Sequence, residues 1–521
     1  MKSFYYPQPR LIFRLLPVAV LLLFACKTPP STPEDNPYPD AKFINQPGDG
    51  FRGIWYMNQP VGEPYQFKYS GGMGTYCAKH RPFSIYASQV NKTFFCFGGT
   101  TQDSWKKFDL TISRDRDTLE GMLLHMVSFY DHNTGEVARP TIILDKMTSD
   151  AHDNPVISID DKGYIWIFST SHGTSRRSYI HKSISPFDIS GFEQVHAQKL
   201  ENGILVPMDN FSYFQIWNTG RQGFMGFFTH YEKDKTSGMG QRVAYFVTSK
   251  NGVEWSEWQK LAAISEGHYQ ISEYNPEFHT AGTAFNYHPD QPKPGEAGLN
   301  YRTNLYYIQT GDFGKSWQAM DGAKVQIPLT EAKNPALVYD FESEGLKVYM
   351  KDLTYDENGY PVILFLTSTG YQPGPENGPY TWRIARWNGL SWAIFTVTNS
   401  DHNYDMGSLF IEPDAWRIIA PTDTGAQAYN PGGEMVEWIS NDRGEHWRRE
   451  HTLTQNSLYN HTYARRTIYA QPGFYAFWAD GHGRQPSNSR FYFSDKAGNV
   501  YQLPEKMETD TQKPIRISPR N

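Results

Sequence analysis

The sequence predicts an all-β chain folded as a seven-bladed β-propeller with Asp-box turns, and three observations predict it. The first is composition: 34 Tyr, 32 Phe and 14 Trp stand beside 43 Gly and 34 Pro in 521 residues, a mixture that suits short strands and tight turns. The second is a repeated turn motif. Thr310-Gly-Asp-Phe-Gly-Lys-Ser-Trp317 and Ser440-Asn-Asp-Arg-Gly-Glu-His-Trp447 both fit the Asp-box pattern Ser/Thr-x-Asp-x-Gly-x-x-Trp. Thr248-Ser-Lys-Asn-Gly-Val-Glu-Trp255 is a degenerate copy with Lys250 at the Asp position. In such a turn the carboxylate ties down backbone amides, Gly takes φ > 0 and Trp packs between sheets. The third is spacing. The copies lie 62 and 130 residues apart, so the stretch from Phe43 to about Leu503 divides into seven units. A pair of β-sandwiches would leave the Asp boxes unexplained.

From the N-terminus onward, Lys2, Arg10 and Arg14 precede the apolar run Leu15–Cys26, which is short for a bilayer span and reads as a signal segment. It ends in Leu23-Phe-Ala-Cys26, which resembles a bacterial lipoprotein cleavage box with Cys26 as the lipidated residue. The expected organisation is a lipoprotein signal peptide at 1–26, a Pro-rich tether at 27–42, a single propeller domain at 43–505 and a C-terminal tail at 506–521. That layout implies an exported protein held at the outer membrane, touching lipid only through its N-terminus. Cys77 and Cys96 are left as either a disulfide or two buried thiols. The net charge of −6 is too mild and of the wrong sign for a nucleic-acid partner. Ser158–Phe168 and Phe474–Trp478 read as inner blade strands.

Four polar clusters carry the candidate chemistry. Lys68–His80 holds three glycines and ends in His80, without the strand–loop–helix context of a phosphate cradle. His132 follows Tyr130-Asp131 and His152 follows Asp150; the two lie 20 residues apart in polar turns, a spacing that suits one rim of a sheet with each imidazole beside a carboxylate. Asn210–Gln215 and Phe224–Tyr231 place Tyr213 and His230 at the ends of paired strands. The fourth cluster comprises His268, Tyr269, His288 and Arg302, with Arg302 the best group for gripping a carboxylate bidentately.

A site of this kind is rich in His, Tyr and Arg and offers no isolated pair of carboxylates, which ordinary glycosidases require. Proton abstraction next to a carboxylate needs cations and a His or Tyr base, which points to β-elimination on a uronic acid. No His-x-x-x-His or similar spacing marks a metal site, and no cofactor is expected.

The Tyr-Asp-His…Asp-x-His-x-x-Pro stretch, the Ser-Tyr-x-Gln turn at 212–215 and the Asp boxes resemble the BNR-repeat family of secreted seven-bladed propellers. Phe51-Arg-Gly-Ile-Trp55 and the Lys68–His80 run are most similar to its branch acting on rhamnose–glucuronate linkages. The resemblance implies an acidic rhamnose–uronate oligosaccharide or polysaccharide as substrate, with either a lyase or an oligosaccharide dehydratase reaction at C4. It implies His132, His152 and Tyr213 as members of an elimination site. The family's Arg is missing where His230 stands, so His230 or Arg302 is expected to replace it. It also implies a rival centre at His80, on the opposite face, for a rhamnosidase-like hydrolysis. The remaining alternative is an inactive glycan-binding propeller. The substrate-binding residues expected here are Arg302, His268 and Tyr269.

Overall fold

The computed structural model describes residues 40–108, 120–174, 176–233, 240–289 and 300–517, all within one compact unit, Tyr38–Asn521. The expected signal peptide at 1–26, with Cys26, and most of the expected tether lie outside the described residues. Seven blades follow one another along the chain, each built outward from its innermost strand by mainly antiparallel pairing, and blades 1 and 7 share one continuous sheet. The inner strands of blades 1 to 7 are Ser84–Ala87, Pro155–Ile159, Ser212–Asn218, Gln270–Asn275, Lys347–Tyr355, Ser408–Ile411 and Asn460–Gln471. Each packs beside the next, and Ile468 of blade 7 bridges to Ile85 of blade 1, which closes the ring.

The core lies between blades rather than within one. Phe168 and Trp166 of blade 2 interleave with Phe214, Phe224 and Trp255 of blade 3, and Phe227 and Phe246 of blade 3 meet Trp317 of blade 4. The Asp boxes explain this interleaving. Asp312 Oδ1 accepts from the Ser316 amide at 2.9 Å, and Asp442 Oδ1 accepts from His446 at 3.0 Å. In the degenerate copy Ser249 and Asn251 do the same work one residue later, accepting from Gly252 and Val253. The glycine of each box has φ between +76° and +85°, and a Cβ there would strike Phe246, Trp166 or Ile384 of the preceding blade. All three boxes join the third and fourth strands of their blades, so they share one face of the propeller.

The two stretches expected as inner strands fall differently. Ile165–Ser169 and Phe474–Gly481 are second strands, paired inward to Pro155–Ile159 and Asn460–Gln471. Their continuous burial comes from being covered on both sides by neighbouring blades. The described part of the expected C-terminal tail is paired rather than trailing. Thr511–Gln512 pairs with Glu136–Ala138 of blade 1, and Ile515–Ile517 pairs with the outer strand of blade 7, so this segment staples the first and last blades. Lys42–Pro47 forms the outer edge of blade 1. Cys77 and Cys96 are free and buried.

A buried ion quartet lies where inner strands converge. Arg81 meets Glu273 at 2.6 Å and Asp352 at 2.8 Å, while Arg466 meets the same Glu273 at 2.5 Å. The cavity beside it is only about 10 Å³. On the Asp-box face a hollow of about 730 Å³ opens, bordered by Glu273 and Arg466.

Burial also holds several imidazoles neutral. His181, His268 and His461 are each pushed down to about 4 by desolvation. A depressed folded-state pKa gives stability that is present above the unfolded value near 6.5 and lost as pH falls toward 4. Urea unfolding at a series of pH values should therefore show a loss of stability on the order of 1–3 kcal/mol per imidazole as pH falls from 6.5 to 4.

Candidate active site

In this topology two kinds of connection reach the same face: the segments that enter inner strands and the turns between second and third strands. Both kinds line one cavity of about 310 Å³. Tyr76–Lys79 enters blade 1, His152 enters blade 2, Tyr269 enters blade 4, and Asn403 and Tyr404 enter blade 6. His172 comes from the second–third turn of blade 2, and Tyr231 and Arg242 stand opposite each other on the second and third strands of blade 3. Tyr213 and Tyr463 begin inner strands with φ of +53°, where the pairing register slips at Ser212/Gln215 and Thr462/Arg465. Left-handed backbone is costly for a tyrosine, by about 1–3 kcal/mol, and here the bulge turns each ring into the cavity. A separate hairpin, Trp55–Gly62 with Gln66–Gly72, supplies Asn58, Gln59 and Tyr69.

One side of the cavity is built on Asp150. Its Oδ1 lies 2.5 Å from His152 Nδ1, its Oδ2 lies 2.8 Å from His172 Nδ1, and Arg176 donates to Oδ2 at 2.6 Å. Arg176 also grips Asp153 with two further bonds, at 2.9 and 3.0 Å. The two imidazoles stack at 4.0 Å. Against an opposing desolvation, the His152 and His172 imidazoles and the Arg176 guanidinium hold the Asp150 carboxyl well below the usual range. The Asp150, His152 and His172 donor atoms lie within 4.8 Å of one another, a cluster that His-x-x-x-His spacing does not reveal. With both Nδ1 atoms and a guanidinium already on the carboxylate, the group is complete as a hydrogen-bonded imidazole pair. Tyr213 stands edge-on to both rings at 5.9 Å and receives a hydrogen bond from Tyr231 at 3.2 Å. Burial pushes the Tyr213 phenol well above its ordinary value, so it stays protonated.

The other side is cationic. Lys79 donates to the Met350 carbonyl at 2.8 Å and Lys351 to the Asn403 carbonyl at 2.7 Å. The Arg302 guanidinium lies 4.6 Å over Tyr269 and 4.8 Å over Tyr349, and it donates to Tyr404 at 3.2 Å. Arg242 lies over Tyr231 at 5.4 Å. Among the described residues lining the cavity there is no Asp or Glu. Desolvation brings Lys79 down to about 7 and Lys351 well below its ordinary range. A concave site with four basic side chains and no carboxylate among its described lining residues suits an anionic ligand.

Of the residues expected from sequence, the structure brings His152, Tyr213, Tyr269 and Arg302 together. His132 is not with them. It lies in the third–fourth turn of blade 1, on the Asp-box face, with Nε2 2.8 Å from Thr93 and its ring edge-on to Tyr86 and Tyr130. The partner 20 residues from His152 is His172, in the forward direction. His230 points away from the cavity, toward Trp258 and Tyr245 on the outer side of blade 3, because its neighbour Tyr231 takes the inward direction. A guanidinium reaches the cavity from the facing strand instead, where Arg242 stands directly across the ladder from Tyr231. His268 spends both nitrogens on backbone, accepting from Ile264 at 2.8 Å and bonding the Asn286 carbonyl at 2.7 Å. His80 is fully buried on the same side as His152, near Thr170 and Tyr213, and lines no part of the cavity.

The profile of the BNR repeat-containing family matches residues 101–400, more than half of the chain. The chain belongs to that family. Within it, this BNR-repeat propeller is 23% identical over 342 residues to the ulvan lyase of Pseudoalteromonas sp. (strain PLSV), an alignment covering 58% of this chain and 63% of the relative. The chain thus spans somewhat less than two thirds of that relative's length. A solved polysaccharide lyase PL25 ulvan lyase superposes with a TM-score of 0.61 at 17% identity, over 87% of this chain and 96% of the other. The structure of that enzyme type bound to -[GlcA(1-4)Rha3S]- gives 0.61 at 18% identity, over 85% and 96%. At these identities the likeness establishes a shared fold.

Because Arg302 lies on the basic wall of the cavity, Arg302→Ala should weaken calorimetric binding of a carboxylate ligand that occupies it about 10- to 100-fold, the worth of one charge-assisted pair. Unchanged affinity would remove Arg302 from the binding surface.

Proposed function

We propose that the protein is a carbon–oxygen lyase that performs β-elimination at C4 of a uronic acid in ulvan-type, rhamnose–glucuronate oligosaccharides. The observation that carries this reading is a cavity whose described lining residues include no carboxylate, with basic groups on one wall and an imidazole–phenol set on the other. Cations at the substrate carboxylate would acidify C5–H by stabilising the enediolate that forms on its removal. The C5–H bond breaks, its electrons form the C4–C5 double bond, and the C4–O bond leaves with its pair. His152 and Tyr213 serve as base and acid for these two transfers. Arg242 and Arg302 hold the carboxylate, with Tyr269 packed beneath the guanidinium. The similarity to an ulvan lyase supports the substrate class.

The finer reading is an exo-acting enzyme, either an oligosaccharide dehydratase or a lyase, that leaves an unsaturated uronate at the non-reducing end. The hairpin supports it. Lys68 reaches across from the hairpin to Asn300 at the edge of blade 4, and Trp55 and Ser70 tie the hairpin to the His482 and Gly483 carbonyls of blade 7. The resulting cavity of about 310 Å³ suits a chain end better than a long polymer. Hydrolysis centred on His80 lacks an imidazole that faces the cavity. Incubation with defined rhamnose–glucuronate oligosaccharides should produce the ultraviolet absorbance of an unsaturated uronate. Mass spectrometry separates the two outcomes, since loss of water marks a dehydratase and chain cleavage marks a lyase. Free rhamnose with a saturated uronate, or binding without turnover, would refute elimination.

We also propose that Cys26 carries a lipid that holds the enzyme at the outer membrane. Palmitate labelling of the expressed chain should be lost in Cys26→Ala; retained labelling would refute the anchor.

A further inference from the structure

The imidazole of His152 has two nitrogens, and neither is left for a substrate. Nδ1 faces Asp150 at 2.5 Å. A carboxylate only accepts, so Nδ1 carries the hydrogen and Nε2 presents a lone pair. Tyr76 Oη lies 2.7 Å from that Nε2 and donates to its lone pair, while Tyr69 Oη stands farther off at 3.2 Å. Tyr56, Tyr69 and Tyr76 stand edge-on around the imidazole, with centroids at 5.6, 6.2 and 4.8 Å. The ring is 4% exposed, and the edge it offers the cavity carries no uncommitted nitrogen. Tyr76, in contrast, has Nε2 behind it and the cavity in front of it. Its loop is pinned from below: Arg465 donates to the Thr75 and Cys77 carbonyls, and Asn154 donates to the Met73 and Tyr76 carbonyls at 2.8 and 2.7 Å.

We propose that Asp150, His152 and Tyr76 form a hydrogen-bonded chain in which Tyr76 is the group that exchanges a proton with the sugar. This rests on the elimination reading and assigns to Tyr76 the contact that the reading gave to His152. The phenol hydrogen passes to His152 Nε2, and the phenolate oxygen takes the C5 proton as the C5–H electrons form the double bond. The departing O4 takes its proton from Tyr213, backed by Tyr231. The proton held on His152 then returns to Tyr213 through water after product leaves, and every group regains its starting state. Asp150, clamped by Arg176, is a positioning residue in this scheme: it fixes the tautomer that leaves Nε2 basic.

Tyr76→Phe removes one oxygen and keeps the ring that packs against Tyr463 at 5.0 Å. It should lower kcat about 100- to 1,000-fold, with KM changing less than about threefold. His152→Gln keeps an acceptor for the phenol but cannot take its proton, and it should lose kcat to the same extent. The double variant should be no worse than His152→Gln alone to within about threefold, because a relay broken twice is broken once. Tyr76→Phe retaining more than about a third of kcat, or losses that multiply in the double variant, would overturn the assignment. Should Tyr76→Phe not fold, as judged by its unfolding midpoint, His152→Gln decides, and retained turnover there overturns the relay. If the wild-type chain forms no unsaturated uronate, the elimination reading and the relay fall together. If it does and Tyr76→Phe does so equally well, only the relay falls.

Discussion

The quartet of Arg81, Glu273, Asp352 and Arg466 is the constraint on which the rest of this propeller depends. It joins the segment entering blade 1 to the inner strands of blades 4, 5 and 7, which are far apart in sequence. Desolvation pushes the Glu273 carboxyl up, and the two guanidiniums pull it back only in part. Such a group is weak evidence for net stability, since apolar replacement of a whole buried ion cluster is often neutral or better. Its value here is positional. A single partner removed would leave uncompensated charge in the centre of the molecule, which costs about 3–5 kcal/mol, so the four segments are held to one mutual arrangement.

That arrangement also sets the floor of the cavity. Two inner strands carry adjacent residues with divided duties. Asp352 joins the quartet while Lys351, one residue earlier and beside a register slip at Met350/Asp352, lines the cavity. Arg466 joins the quartet while Arg465 holds the carbonyls of the loop that carries Tyr76 and Cys77. The period of two along a strand thus couples the quartet to the site directly. Among the partners of the cavity's basic groups are the Met350 and Asn403 carbonyls for Lys79 and Lys351, and tyrosine rings for Arg302 and Arg242. Their desolvation, visible in the depressed amines of Lys79 and Lys351, is a cost that an anionic ligand would offset.

The seven-bladed fold was legible because an Asp box is a local device whose residues are fixed by turn geometry. Even its degenerate copy kept the function, by moving the side-chain acceptor from position 250 to Ser249 and Asn251. The site was legible only in part. His152 and Tyr213 lie beside strand starts, where both the pattern and the structure place them. His132 had the same local setting, a histidine after an acidic residue in a polar turn, yet it sits at a third–fourth turn and therefore on the other face. Spacing of 20 residues holds equally for 132 to 152 and for 152 to 172, and it carries no information about direction.

Register explains the remaining misses. His230 and Tyr231 are adjacent, and a shift of one residue exchanges cavity for outer surface, so identity alone does not decide which of them reaches the substrate. Arg242 is 11 residues from Tyr231 in sequence but directly opposite it in the ladder, a relation fixed by the hairpin and hidden from composition. The useful signal is connection type rather than residue type. In a propeller traversed from the inside outward, a polar residue just before an inner strand or at a second–third turn lies on the same face as every other residue so placed. By that rule His172 is selected and His132 rejected as soon as the strands of blades 1 and 2 are assigned. The same rule selects Tyr76, whose loop enters blade 1, and so makes the contact between Tyr76 and His152 a consequence of topology before any distance is measured.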